Sequence, residues 1–270
     1  GTNTLRSVNV NAPINGVRPN PAAGNITEIQ STGKRTQDRV TVALNARYIP
    51  RRMVGMVMYQ YANSRNFADS ATSLPSDSLH PDADWGPSAQ DVRHRLFINF
   101  NTPLWNGVRV GLNLQGASAL PYTITTGLDN NGDTVFNDRP AGVSRNSARG
   151  AAQWTTNIRI NKSIGLGGQR SGPPNMPLPP GMPPGGGNNG ALNQRVGAGP
   201  GPGGGGDGPQ MVVMEGGNTK YRLDIYANIQ NAFNNVNYNA FIGNQLSSFF
   251  GRATSAAPPR RIEVGFSLGF

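Results

Sequence analysis

Six stretches of this chain alternate apolar and polar side chains with a period of two, and no other feature restricts its fold as much. Val40, Val42, Leu44, Ala46 and Tyr48 alternate with Arg39, Thr41, Ala43, Asn45 and Arg47. Leu96, Ile98 and Phe100 alternate with Arg95, Phe97, Asn99 and Asn101, and Val108, Val110, Leu112 and Leu114 with Arg109, Gly111, Asn113 and Gln115. Ile158, Ile160 and Ile164 oppose Asn157, Arg159, Asn161 and Ser163. Tyr221, Leu223, Ile225, Ala227 and Ile229 oppose Arg222, Asp224, Tyr226, Asn228 and Gln230. Ile262, Val264, Phe266, Leu268 and Phe270 oppose Arg261, Glu263, Gly265, Ser267 and Gly269. A seventh run, 53–61, is too evenly apolar to orient. The expectation is seven strands, each with one apolar face.

The connections alternate in kind. Residues 49–52 and 103–107 are short turns, whereas 67–89, 128–153 and 234–258 are long and polar. Short turns at one rim and long loops at the other are the asymmetry of an outer-membrane barrel, whose apolar band is about 25 Å tall. Composition agrees. Only 14% of residues are charged, against roughly a quarter in soluble domains. Such a surface disfavours a helical soluble enzyme. No run approaches the about 18 apolar residues of a membrane-spanning helix. Cysteine is absent, which removes disulfides, thiolate metal sites and thiol catalysis.

The net charge is +10, nearly all of it arginine, since Lys34, Lys162 and Lys220 are the only lysines. The arginines are scattered, with tight pairs only at Arg51-Arg52 and Arg260-Arg261, so no nucleic-acid partner is expected. Arg39, Arg47, Arg95, Arg109, Arg159, Arg222 and Arg261 fall on polar strand faces. Pairing with Asp224, Glu263 and further acidic groups is favoured there over attraction of anionic solutes. Residue 1 is Gly and no signal peptide is visible, so the chain reads as a mature form or a fragment. Three parts are expected: strands and extracellular loops over 1–166, a disordered Gly/Pro-rich periplasmic insert over 167–217, and the last two strands over 218–270. The insert lacks a Gly-X-Y period and is read as a tolerated insertion.

Several motifs carry a family resemblance. Phe270 ends an alternating strand and is similar to the signal read by the bacterial barrel-assembly machinery. Asn231-Ala232-Phe233-Asn234-Asn235-Val236-Asn237-Tyr238 resembles the Asn-Leu-Phe-Asn element of TonB-dependent receptors. Phe249-Phe250-Gly251-Arg252-Ala253 with Pro258-Pro259-Arg260-Arg261-Ile262-Glu263 resembles the ending of the Oar-like subgroup, which carries a carboxypeptidase-regulatory-like domain. The run Asp129-Asn130-Asn131-Gly132-Asp133, with Asn137-Asp138-Arg139-Pro140 and Arg145-Asn146-Ser147, fits the same subgroup. The resemblance implies an all-β, antiparallel transmembrane barrel segment: the C-terminal part of a barrel of about 22 strands. It also implies a Gram-negative outer membrane, a plug domain, TonB as energy-coupling partner, and import of a large solute. A surface or adhesion protein whose loops bind glycan, matrix or protein is the rival expectation. The barrel architecture does not separate the two.

Chemistry-bearing residues are few. Asp129, Asn131 and Asp133 have the first, third and fifth spacing of a calcium loop, and Asp138 could add a carboxylate. Pro140 stands where an EF-hand places its Glu, and Asx-turn chemistry alone accounts for such a cluster. The incomplete ligand set favours the turn reading; calcium remains the one candidate cofactor. Asp69, Asp77, Asp82 and Asp84 show no such spacing and read as solvated. His80 and His94 belong to no triad or metal spacing, so no enzyme is expected.

Overall fold

The computed structural model describes residues 2–169 and 219–270. In chain order the strands are β1 (Thr2–Asn9), β2 (Thr27–Tyr48), β3 (Met53–Asn66), β4 (Gly86–Pro87), β5 (His94–Pro103), β6 (Val108–Ala117) and β7 (Pro121–Tyr122). They continue as β8 (Ala148–Arg149), β9 (Gln153–Gln169), β10 (Thr219–Gln230), β11 (Tyr238–Phe241), β12 (Ala253–Ala256) and β13 (Arg261–Gly269). Two single 3-10 turns, Ile49–Arg51 and Pro81–Asp84, are the only helical pieces among the described residues. The protein is all-β.

One sheet runs in the order β1-β2-β3-β5-β6-β9-β10-β13, with β4 set against the end of β3. The pairs β7–β8 and β11–β12 form two small sheets inside the long loops. Neighbours along the sheet are sequential, and every strand pairing recorded by register is antiparallel. The sheet is open among the described residues, with β1 and β13 at its ends. Two compact units divide the chain: 1–163 with 224–266, and 164–223 with 267–270. The described part of the smaller unit consists of strand ends, with Leu166, Tyr221, Leu268 and Phe270 exposed.

Register gives the alternation its meaning. Leu44 stands opposite Val57, Val57 opposite Ile98, and Ile98 opposite Leu114. One row away, Gly55 faces Phe100, Phe100 faces Leu112, and Leu112 faces Ile158. Directly opposed residues share a face, so the separate apolar sets of β2, β5, β6 and β9 merge into one. The evenly apolar β3 is oriented by its neighbours: Val57, Tyr59 and Tyr61 join that face, and Met56, Met58 and Gln60 turn away. The opposite face carries a row of amides, Asn99 opposite Asn113 and Asn113 opposite Asn157.

Burial is inverted with respect to a soluble domain. Among the described residues four hydrophobic side chains are buried, Val8, Ala12, Ala62 and Val92, against twenty-one polar or charged ones. Leu44, Val264 and Phe266 are 68%, 69% and 79% exposed, while Asn113, Asn161 and Asp224 are buried. The sheet therefore lacks a hydrophobic core of its own.

The expected strands are all present, and the count of seven is corrected to eight along the sheet by β1. That strand reads Thr-Asn-Thr-Leu-Arg-Ser-Val-Asn and buries Arg6, Ser7 and Asn9, so it has no apolar alternation to find. β2 starts at Thr27 rather than near Arg39, because its first part pairs with β1 through polar residues. β9 runs on to Gln169, past the expected boundary at 166. The rest of the Gly/Pro-rich insert lies outside the described residues. The β5–β6 turn places Asn106 and Gly107 at φ 53° and 73°, the left-handed pair of a tight hairpin.

Gly116 is required by contact. A Cβ there would sit 2.5 Å from the Trp154 ring, which lies across the β6 backbone from β9. Gly116→Ala is expected to destabilise the sheet by about 1–3 kcal/mol through overpacking. The cost should largely vanish in a Trp154→Ala background, read as thermal midpoints of the four proteins in a double-mutant cycle.

Candidate functional site: the loop network and its acidic turn

The long loops are tied together by arginine–aspartate pairs. Arg145 donates through Nη1 to Asp69, through Nη2 to the Asn66 carbonyl at 2.6 Å and to the Asn66 side chain, and through Nε to the Asp84 carbonyl at 3.1 Å. Arg139 Nη1 lies 2.5 Å from Asp84 Oδ1, which also accepts the Ser76 hydroxyl at 2.8 Å. Arg149 Nη2 pairs with Asp91 Oδ2 at 2.5 Å, while Asp91 Oδ1 accepts the Ser64 N–H at 2.8 Å. Arg6 from β1 reaches Asp82 at 2.8 Å, its guanidinium 5.2 Å from the Phe67 ring centroid. Asn146 donates to Asp69 at 2.8 Å and to the Pro87 carbonyl at 2.9 Å. A planar five-donor guanidinium suits such work, since one side chain satisfies acceptors from three segments.

These contacts set the local electrostatics. Burial by itself would raise the Asp69 carboxyl, but the Ala89 N–H, the Arg145 charge and the Asn146 and Asn66 side chains together hold it below its ordinary value of 3.8. Burial lowers the Arg145 guanidinium below its ordinary value, opposed by Asp69 and Asp84. A cleft of about 150 Å³ opens beside the network, lined by Arg6, Ser7, Phe67, Asp69, Asp84 and Arg145 among others. Its charged groups are already paired, Asp69 with Arg145, Asp84 with Arg139 and Arg6 with Asp82.

The acidic turn is built differently. Asp129 accepts the N–H groups of Asp133 at 3.0 Å and Thr134 at 2.9 Å. Asn131 Oδ1 also accepts the Asp133 N–H at 3.0 Å, and its amide donates to the Ser76 carbonyl at 2.8 Å. Asp138 Oδ2 accepts the N–H groups of Asn130 at 2.5 Å and Asn131 at 3.1 Å. Asp133 Oδ1 accepts the Val135 N–H at 2.9 Å, whereas Oδ2 is buried with no hydrogen bond of good geometry among the described residues. Asp133 is 2% exposed. Burial raises its carboxyl above 3.8; the Val135 and Ser78 N–H groups oppose that, and the Asp129 and Asp138 charges add to it. Gly132 and Thr134 both adopt positive φ, 73° and 70°.

The four residues singled out from the sequence, Asp129, Asn131, Asp133 and Asp138, thus belong to one turn. Among the described residues no three His, Cys, Asp or Glu side chains are grouped as metal ligands. The reading of the Asp69–Asp84 acids as solvated is corrected for Asp84, which is buried in an ion pair, and for Asp69, an exposed residue whose carboxylate nonetheless pairs with Arg145. Asp77 binds His80 through Nδ1 at 2.8 Å. His94 lies on the apolar face, its Nδ1 2.7 Å from the Tyr59 hydroxyl. On the polar face Arg159 stacks 5.5 Å from the Tyr226 centroid, and Asp224 accepts the Ser163 hydroxyl at 2.5 Å. Alternation could not have revealed the network, since loops have no period.

The motif residues are the ones that bind the loops. Arg139 and Arg145-Asn146 make the network just described. Asn231 Oδ1 accepts the Asn235 N–H at 2.9 Å, and its own N–H donates to Asn157 at 3.0 Å. Asn237 brackets Trp154 like a strand partner, accepting its N–H at 2.8 Å and donating to its carbonyl at 3.0 Å. No protein-family model, curated protein or solved structure matches the chain.

Two outcomes are expected. Arg145→Ala leaves the buried Asn66 acceptors and the Asp69 carboxylate without their donor and should cost about 1–3 kcal/mol. Arg145→Lys should restore little of it, because an ammonium cannot make the fork of bonds to Asp69 and Asn66; thermal unfolding of both variants checks this.

The two carboxyls should also respond oppositely to acid in metal-free buffer. The Asp69 contribution is fully present above 3.8 and is lost as the pH falls through its lowered folded value. Ionised Asp133 opposes folding, so its turn tightens as the pH falls through its raised value, a gain complete by 3.8. Hydrogen-exchange protection factors should therefore rise at Val135 before they fall at Ala89. A simultaneous loss at both would overturn the assignment.

Proposed function

We propose that this chain is wall and loop structure of a TonB-dependent outer-membrane receptor of the Oar-like kind, which binds and imports a large solute. The observation that carries the membrane part is the register-aligned apolar face, exposed over β2, β3 and β13, backed by a polar face with buried amides. Water would not tolerate such a face uncovered, and hydrocarbon is its natural solvent. Aromatic side chains support a bilayer-facing band: Tyr48 and Trp105 lie near the short turns, and Tyr59, Tyr61 and Trp154 toward the long loops. No helix of the described residues is long and apolar enough to cross a membrane, so any crossing is made by strands.

The open ends of the sheet support a segment of a larger barrel. An open edge leaves backbone N–H and C=O groups unpaired, at several kcal/mol each in lipid. Among the described residues, 36–48 of β2 pair with β3 on one side alone, as β1 covers only 27–35. Further strands against β2 and β13 would complete the wall. Phe270 would serve the barrel-assembly machinery. A plug domain would occupy the polar side, and TonB would supply the energy.

Leu112→Arg places a charge on the lipid face and should cost about 2–4 kcal/mol at the midplane, abolishing recovery of heat-modifiable protein from outer membranes. Gln115→Arg, on the exposed part of the polar face, should assemble normally. Equal recovery of both variants would overturn the membrane reading. The whole wild-type protein should cross-link to TonB in cells; correct assembly without that cross-link would move the function to surface adhesion.

A further inference from the structure

The turn at 129–135 joins three features: anionic oxygens, a buried acceptor and, among the described residues, no ion pair to its carboxylates. Asp133 is 2% exposed, and its Oδ2 is buried without a hydrogen bond of good geometry among the described residues, so the Val135 and Ser78 N–H groups beside the carboxylate bring it dipoles but no positive charge. The Asp129 and Asn131 side-chain oxygens converge on the Asp133 N–H, each at 3.0 Å. None of the Asp129, Asp133 and Asp138 carboxylates takes part in the recorded ion pairs. Arg18 reaches this turn, but donates to the Thr134 hydroxyl at 3.1 Å and to Asn25 at 2.9 Å. A buried carboxylate beside two others without a cation is an unfavourable arrangement.

We propose that a calcium ion supplies the missing charge, held by the side-chain oxygens of Asp129, Asn131 and Asp133, with the Val135 carbonyl as the seventh-position donor. The backbone conforms to this. Thr134, sixth in the turn, is at φ 70°, the position where calcium loops turn sharply and usually carry Gly. Asp129 already accepts the N–H groups of the fifth and sixth residues, and each carboxylate oxygen keeps a second lone pair for a metal. Asp138 is turned to Asn130 and Asn131 and acts as a brace behind the ligands. The donor set is two carboxylates, one amide and a carbonyl, which is why the acids alone do not form a metal cluster. All-oxygen donors in an irregular turn suit calcium better than magnesium, which holds its water and demands a strict octahedron. The Asn131 amide bond to Ser76 and the Asn137 amide bonds to Leu74 and Pro75, at 3.2 Å, would couple the ion to the loop that carries Asp84.

The test uses the full chain purified in detergent, with calcium chloride, magnesium chloride or chelator. Its readouts are calorimetric titration and hydrogen exchange of peptides covering 128–145. Calcium is expected to release heat with a saturable isotherm and to slow exchange on the order of tenfold at ten times its Kd. Magnesium at the same concentration should do neither. Asp133→Asn and Asp129→Asn should each abolish the calcium response. Without an ion in the native turn, Asp133→Asn would instead relieve repulsion and slow exchange in chelator and calcium alike. That result, or equal protection by calcium and magnesium, overturns the proposal.

Discussion

Every long strand must pair so that its apolar residues meet those of its neighbours, and the rest of the molecule depends on that one condition. A slip of one residue in any pairing would carry a whole apolar set to the amide side. The rows from Leu44 to Leu114 and from Gly55 to Ile158 show the condition met across four successive pairings. Tight hairpins help to hold it. Asn106 and Gly107 supply a left-handed turn that fixes the β5–β6 register from its closed end, where a longer loop would leave it free.

With its apolar residues on the outside, the sheet has no hydrophobic core to hold its loops. Polar groups do that work. Asp69, Asp84 and Asp91 each collect an arginine and one or more backbone or side-chain donors, so that the desolvated charges are compensated. Such networks add little net stability, because desolvation offsets much of the attraction; they are demanding about geometry. A loop docked through Arg145 has to bring Asn66, Asp69 and Asp84 to the same guanidinium. The arrangement gives physical content to the Asn-Asp-Arg-Pro and Arg-Asn-Ser motifs, whose arginines and asparagine make these contacts.

Much of the sheet was legible in the sequence. Alternation identified the apolar residues of β2, β5, β6, β9, β10 and β13, because a strand's side-chain period is a local property. Strand β3 was found but not oriented, since Met53 to Tyr61 offer apolar residues to both faces. β1 was not found, as it buries Arg6, Ser7 and Asn9 under a loop instead of presenting an apolar face. Of the candidate site, the turn of Asp129, Asn131, Asp133 and Asp138 was visible as a spacing. Its partners were not.

The sequence by itself therefore determined seven of the eight strands along the sheet, which residues of most of them share the apolar face, and the short and long connections. Each of these is encoded within a few residues of chain. Tertiary structure alone decided which aspartates are buried, which arginines meet them, and that Asp133 is buried with no ion pair among the described residues. Those facts arise from contacts across 55 to 77 positions, such as Arg139 with Asp84 and Asn146 with Asp69. No local pattern encodes a partner at that distance; only the register of the sheet, by placing the loop ends, brings the two together.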